Sequence, residues 1–297
     1  MLDCVKCPFC PDPVEATLAG SYEVARVPAI VREFQRELFT VWRCGSCDSL
    51  HSKEAVDLDA YYRVYPLAGQ SEDYLTRQFC RTRLEALKRA GMKKSDAILD
   101  FGCGTGLFVS YLTQKGYAKA VGHDPYISIF SGPEVLAKKY DVILAQDVIE
   151  HADDPRVMMK TLVGCLKPGG LICLGTPCAE RISLKPYEAF AVSLHQPYHR
   201  HIFSTRALVQ LAREEGLTLS HLRKRHVGES ARPGANLRFL HDFVRHSGNV
   251  INAGFEPPAP GLFRRHPLLI AQAFLGYFFS RKSEMALYFN LRESEKV

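Results

Sequence analysis

Three groups of residues in this chain have the types and spacing to do chemistry. The first is Asp100-Phe101-Gly102-Cys103-Gly104-Thr105-Gly106, where an apolar run closes on an acid and then breaks into three alternating glycines. Glycine adopts positive φ without penalty and has no Cβ. A ligand can therefore lie against such a loop while the N–H groups of the following helix start point at its polar end. A nucleotide-like ligand suits this loop, but the dinucleotide fingerprint needs a glycine at the sixth position, where Leu107 stands. The second group is two Cys-x-x-Cys pairs, Cys7/Cys10 and Cys44/Cys47, each with a turn-forming residue inside the knuckle. Four thiolates make a tetrahedral, closed and hence structural Zn²⁺ site. Cys4 and His51 stay open as alternative ligands. The third group is histidine: His151 after Glu150, and His199 and His201 in Tyr198-His199-Arg200-His201. A neutral imidazole, with a reference pKa of about 6.5, is suited to taking a proton near neutrality. Tyr198 is a weaker candidate for the same task.

These residues need strands and helices to position them. Short apolar runs at Ile98–Phe101, Ala120–Asp124, Tyr140–Gln146, Leu171–Gly175, Leu217–Leu222 and Met285–Phe289 are spaced as strands, with helical patterns over 57–90 and from Thr205 to Glu215. Alternating stretches within 22–27 and 38–42 suit hairpin strands between the two cysteine pairs. Asp124, twenty-two residues beyond Gly102, is placed to accept the two hydroxyls of a ribose. Only sixteen residues separate Asp124 from Tyr140, too few for a helix, a strand and their connections, so a strand there is expected to be short or absent.

The glycine loop, Asp124, the segment Gln146-Asp147-Val148-Ile149-Glu150-His151 and the phrase Leu166-Lys167-Pro168-Gly169-Gly170 follow one another as in class I S-adenosylmethionine-dependent methyltransferases, which the chain resembles from about 97 to 219. The resemblance implies an α/β fold: a doubly wound, Rossmann-like, seven-stranded methyltransferase sheet with an antiparallel edge strand, joined here to a small N-terminal four-cysteine zinc ribbon. It also implies a cofactor site built from Asp100, Phe101, Gly102, Cys103, Gly104, Gly106, Asp124, Pro125, Gln146 and Asp147, with S-adenosyl-L-methionine as cofactor and Zn²⁺ as structural metal. Around 147–151 the chain is similar to ubiquinone-type O-methyltransferases, in some of which a like acidic-acidic-His set is associated with Mg²⁺. Around 198–201 it is similar to nucleotide-sugar C-methyltransferases, which carry a Tyr-His-Glu-His segment and an N-terminal four-cysteine zinc site. Arg200 stands where that family has its glutamate, which leaves O-, N- and C-methylation all open.

Length and composition agree with an enzyme: 297 residues with 46% hydrophobic content suffice for one sizeable core and an accessory module. The expected organisation is a zinc ribbon over 1–55, a helical cap over 56–95, and a methyltransferase domain over 96–297 with a basic and apolar insertion at about 223–282. That insertion holds ten Lys or Arg against three Asp or Glu, although the net charge of the chain is only +6. Its apolar run 267–279 is too short to span a bilayer but has the flanks of an interfacial or substrate-covering helix, so 264–282 is a candidate for peripheral membrane contact. No signal-sequence pattern opens the chain and no apolar run approaches the roughly 18 residues of a span, so a cytoplasmic location is expected. The expected partner is a small or carrier-linked acceptor, anionic or sugar-nucleotide-like. The basic residues are scattered without an aromatic-basic RNA signature, which argues against nucleic acid. An RNA methyltransferase and a non-catalytic cofactor-binding or scaffold protein are the alternatives in other classes.

Overall fold

In a computed structural model of the chain, the residues described are 4–5, 7–10, 16–17 and 23–291. The chain divides into two compact units. The first takes the described residues up to Gln70, together with Pro177–Leu208 and Ala231–Glu284, and the second takes Ser71–Thr176, Val209–Ser230 and the chain from Met285.

The first unit opens with β1 (Cys4–Val5) paired antiparallel to β2 (Ala16–Thr17). Its main sheet has four strands: β3 (Val24–Pro28), β4 (Leu38–Arg43), β5 (Leu50–Ser52) and the distant β10 (His201–Ile202), all antiparallel, in the order β10-β5-β4-β3. The hairpin strands expected between the cysteine pairs are thus β3 and β4. Val27, Val41, Leu50, Leu184, Leu194 and Ile202 form one core of this unit. Its helices are α1 (Leu58–Tyr62), α5 (Ala191–Leu194), α7 (Leu237–His246), α8 (Leu262–Arg265) and α9 (Leu268–Leu275).

The second unit carries a six-stranded sheet made of β6 (Ile98–Phe101), β7 (Ala120–His123), β8 (Tyr140–Gln146), β9 (Leu166–Pro177), β11 (Leu217–Arg223) and β12 (Glu284–Leu291), in the order β11-β12-β9-β8-β6-β7. β7, β6, β8 and β9 run parallel, whereas β11 pairs antiparallel with β12. β6 is buried throughout and β8 nearly so, which is why both read as unbroken apolar runs: a parallel sheet has both faces covered. On one face α2 (Tyr74–Arg89) and α3 (Leu107–Gln114) supply Leu84, Leu87, Phe108 and Leu112 against Ile98, Val142, Leu144 and Cys173. Full burial of one such aliphatic side chain stabilises by roughly 1.5–3 kcal/mol. Met159 and Leu162 of α4 (Pro155–Gly164) and Leu211 and Ala212 of α6 (Thr205–Glu214) are also fully buried.

One strand of the expected seven is missing among the described residues. Between β7 and β8 the chain makes only two 3₁₀ turns, Ser128–Phe130 and Pro133–Val135, which is what the short Asp124–Tyr140 span allows. The glycine phrase before Leu171 also differs from expectation in detail. Leu166 and Leu171 both pair with β8, opposite Tyr140 and Val142, so the four residues between them bulge out within the strand instead of preceding it. Strand order reverses between β6 and β8, and a ligand crevice is expected outside the carboxyl ends at such a point.

Candidate functional site

The glycine loop leaves β6 at that reversal. Gly102, Gly104 and Gly106 all hold positive φ, at 74°, 53° and 77°. Two of them also have no room for a side chain: a Cβ on Gly102 would lie 2.4 Å from Val148 Cγ2, and one on Gly106, the N-cap of α3, 2.4 Å from Phe130 Cζ. The Gly104 N–H donates to Asp124 Oδ2 at 2.9 Å and the Tyr126 N–H to Oδ1 at 3.0 Å, so Asp124 ties the end of β7 and the turn through Pro125 to the loop. Each carboxylate oxygen keeps further acceptor capacity for hydroxyl donors. Asp100 is buried, and its carboxyl accepts no hydrogen bond from any described residue. Burial raises its carboxyl to about 6, with Arg83 opposing and the charge of Asp124 adding to the rise. Phe101 is buried beside it, and burial pushes the Cys103 thiol up to about 12, which suits a packing residue and not a nucleophile. Cys103 Sγ fills the space over Gly122, where a Cβ would approach to 2.5 Å.

At the end of β8, Gln146 lies against Gly175, whose missing side chain makes room for its amide. Gln146 Nε2 donates to Asp147 Oδ1 at 2.7 Å. Asp147 itself has φ of +56°, a left-handed conformation that costs a non-glycine residue of order 1–3 kcal/mol and is concentrated at functional sites. A residue invisible to sequence reasoning meets it here: His226 Nε2 is 3.3 Å from Asp147 Oδ2. The Gly228 N–H donates to His226 Nδ1 at 3.1 Å, so in the neutral ring Nε2 carries the proton and donates to Asp147. Phe79 packs edge-on against the His226 ring. A lone histidine 79 residues from Asp147 gives no signal in a single sequence.

Two neighbouring carboxyls are thereby shifted in opposite directions. Atoms crowded around Asp147 work against its ionisation although its side chain is 47% exposed, but the charge and hydrogen bond of His226 and the Gln146 amide keep it below the ordinary carboxylate range. Burial, with the charge of Asp147 adding, drives Glu150 well above it, and Glu150 Oε2 accepts from Thr176 Oγ1 at 3.0 Å. The set Asp147, Glu150 and His151 does not gather as i, i+3 and i+4 on a helix would: Ile149–His151 is a single 3₁₀ turn, and Asp147 does not join the other two within 4.8 Å.

In the first unit, Cys7, Cys10, Cys44 and Cys47 converge, all four Sγ atoms lying within 4.8 Å of one another. The contacts Cys7–Cys47 at 3.5 Å and Cys10–Cys44 at 3.7 Å approach the edge of roughly 3.8 Å in a tetrahedron of sulfurs about 2.3 Å from Zn²⁺. The residues therefore fit the ion. The side chain of Cys4 lies outside the described residues. His51 is a neighbour of the cluster and not a fifth member: its Nε2 is 3.3 Å from Cys7 Sγ. Its Nδ1 is 3.1 Å from Nδ1 of His201, which faces it across the β5–β10 pair. Burial lowers the pKa of His51, and in its neutral ring donation from Nε2 to a zinc-bound Cys7 thiolate would leave Nδ1 to accept from His201.

His199 is buried and stacked on His195, and its Nδ1–H donates to the Ser193 carbonyl at 2.8 Å. That bond leaves the lone pair on Nε2. Tyr198 is spent as a packing residue: its hydroxyl donates to the Tyr61 carbonyl at 2.8 Å, and burial raises its pKa out of reach of base chemistry. His199 and His201 belong to the first unit and His151 to the second.

A family described as a methyltransferase domain matches residues 72–222, half of the chain. The chain belongs to that methyltransferase family. Its curated relatives include a ubiquinone biosynthesis O-methyltransferase of Nitrobacter winogradskyi, 29% identical over 136 residues, covering 39% of this chain and 50% of the relative. Another is phosphoethanolamine N-methyltransferase 1 of Zea mays, 26% identical over 164 residues, covering 48% and 31%. The chain spans about half the length of the ubiquinone methyltransferases it matches, and a third of the maize enzyme. Among solved structures it is similar to the cyclopropane synthase MmaA2 of Mycobacterium tuberculosis, with 15% identity, a TM-score of 0.45, and coverage of 71% and 82%. The matched family segment contains β6, β7, β8 and β9, and with them every residue of the glycine-loop site.

Proposed function

We propose that the protein transfers a methyl group from S-adenosyl-L-methionine to an oxygen or nitrogen of a small or carrier-linked metabolite. The observation that carries this reading is the buried, undonated carboxyl of Asp100 beside a positive-φ glycine loop, with Asp124 tied to that loop. The cofactor would bring an already electrophilic methyl group. Asp100 would hold its ammonium, Asp124 its ribose hydroxyls, and the Gly102–Gly106 backbone its approach, while Gln146 and Asp147 border the place where the acceptor arrives. Catalysis then lies in alignment and water exclusion, with a base needed only if the acceptor must lose a proton. One of His151, His199 and His201 is the base of this reading, and Arg200 binds an anionic group of the acceptor. Oxygen and nitrogen acceptors draw support from the names of the two curated relatives, and from Arg200 standing in place of the glutamate of carbon-methylating enzymes. Zn²⁺ at Cys7, Cys10, Cys44 and Cys47 is structural in this reading. No described helix is long and apolar enough to cross a membrane. Peripheral contact through 264–282 would bring the protein to an acceptor held at a surface.

Calorimetry with the cofactor tests the assignment. Gly104→Val is expected to abolish binding, because valine strongly disfavours the φ of +53° that the loop requires. Asp124→Ala should weaken binding by roughly 1–3 kcal/mol through loss of a charged acceptor. Wild-type affinity in both variants would remove the cofactor from this loop.

A pH dependence follows from Asp100. Its carboxyl is raised in the folded protein to about 6, so it is protonated below that pH and cannot pair with an ammonium. Cofactor affinity is expected to rise with pH up to about 6 and then level off, with a limiting slope of about tenfold per pH unit on the acid side. Titrations between pH 5 and 8 in buffers of different ionisation enthalpy should show proton release on binding at the acid end, and Asp100→Asn should flatten the profile. A flat wild-type profile would exclude Asp100 as the ammonium partner.

A further inference from the structure

We propose that α9 and the 3₁₀ turn after it, Gly276–Phe279, dock the protein on an anionic lipid surface. A helix on the outside of a globular unit normally turns its apolar stripe inward. This one turns most of its large apolar side chains outward. Its covered stripe is Leu269, Gln272 and Gly276. Gln272 Nε2 donates to Asp242 Oδ2 at 2.7 Å, and the carbonyls of Gln272 and Ala273 accept from Asn236 Nδ2 at 3.1 and 3.2 Å. Asn236 also caps α7, and Asp242 is held further by Arg238 and Arg281, so a polar network fixes the inner side of the helix. The outer side carries Leu268, Ile270, Phe274, Leu275, Phe278 and Phe279, each at least half exposed. These are six of the eleven large apolar side chains exposed in the described chain, gathered within twelve consecutive residues. An apolar surface of this concentration marks a site of contact.

Charge selects the occupant. Arg264 and Arg265 at the end of α8 and Lys282 beyond the turn are exposed, and no Asp or Glu occurs from Pro257 to Ser283. Arg281, a flanking cation in the sequence, is instead turned inward onto Asp242 and the Ala189 carbonyl. A two-fold contact with a second copy would set this patch against itself and bring the exposed cations of one chain toward those of the other. An anionic bilayer instead offers hydrocarbon to the phenylalanines and negative headgroups to the rim, at about 1 kcal/mol per Lys or Arg near the surface. Twelve helical residues rise roughly 18 Å against a hydrocarbon core of about 30 Å, so the element lies on the surface and does not span it. The docking needs neither bound cofactor nor bound acceptor, and it deepens the peripheral contact that is part of the proposed function.

The test is sedimentation of the full chain with vesicles of phosphatidylcholine alone or mixed with phosphatidylglycerol, read without cofactor so that it stands or falls apart from the methyltransferase assignment. Binding is expected to the anionic vesicles and to weaken in high salt. Phe278→Asp with Phe279→Asp should lower partitioning at least about tenfold, and Arg264→Glu with Arg265→Glu should do likewise, since both apolar insertion and rim charge contribute. Thermal melts of both variants should match wild type because the replaced side chains are exposed, which separates lost docking from lost folding. Equal partitioning of the wild type and the double-phenylalanine variant would overturn the proposal. So would absence of binding to anionic vesicles, including the case in which light scattering shows a dimer that Phe278→Asp with Phe279→Asp dissociates.

Discussion

Cys44→Ser is expected to strip the chain of one Zn²⁺ and to open the sheet around it. The four sulfurs come from two knuckles far apart in the chain, and the second of them, Cys44 to Cys47, joins β4 to β5. Closing such a site holds elements that otherwise rely on short strands: β5 has three residues and β10 two. Structural zinc in small domains binds with about 10–16 kcal/mol of apparent free energy that the unfolded chain does not recover. Its loss should therefore be the largest single effect on the first unit. Elemental analysis should give one zinc per wild-type chain and none for Cys44→Ser, and hydrogen exchange should show residues 23–55 losing protection while β6 and β8 keep theirs. Cys4→Ser should retain the metal. A Cys10→Ser variant that keeps full zinc occupancy while Cys4→Ser loses it would show that the first knuckle is paired wrongly.

On the proposed reading, replacing the histidine that serves as base with alanine should lower turnover by roughly 10²–10⁴ while cofactor affinity stays at the wild-type value, the range typical of a lost general base. His151, His199 and His201 are each to be tested, and the geometry separates them. His199 has its tautomer fixed by the Ser193 carbonyl, which leaves Nε2 as the basic nitrogen. His201 faces His51 beside the cysteine cluster, so His201→Ala should show its main effect as weaker zinc retention. Measuring kcat and cofactor affinity for each variant, with metal content alongside, resolves the three roles. Turnover within a few-fold of wild type in all three would mean that alignment alone drives transfer.

The features legible in the sequence are those whose geometry is local. The glycine loop, the acid ending β7 and the Cys-x-x-Cys knuckles each depend on backbone geometry within a few positions, and glycine, proline and thiol spacing encode that geometry directly. The parallel strands were legible for a related reason, because burial on both faces leaves an unbroken apolar run such as Val142–Ala145. The missing strand was legible in part, since the span between Asp124 and Tyr140 leaves room for a short strand at most.

Tertiary structure decided whatever required residues distant in the chain to meet. It brought His226 to Asp147 across 79 positions and gave that aspartate a left-handed backbone. It paired β10 with β5, which turned His201 toward His51 and the cysteines, and it spent the Tyr198 hydroxyl on a backbone carbonyl. It also set Gln272 of α9 inward, where Asp242, Arg238 and Arg281 form their network. A side chain's type limits which bonds it can make, but the partner that satisfies it, and so the face it presents, is fixed only when the fold chooses its neighbours.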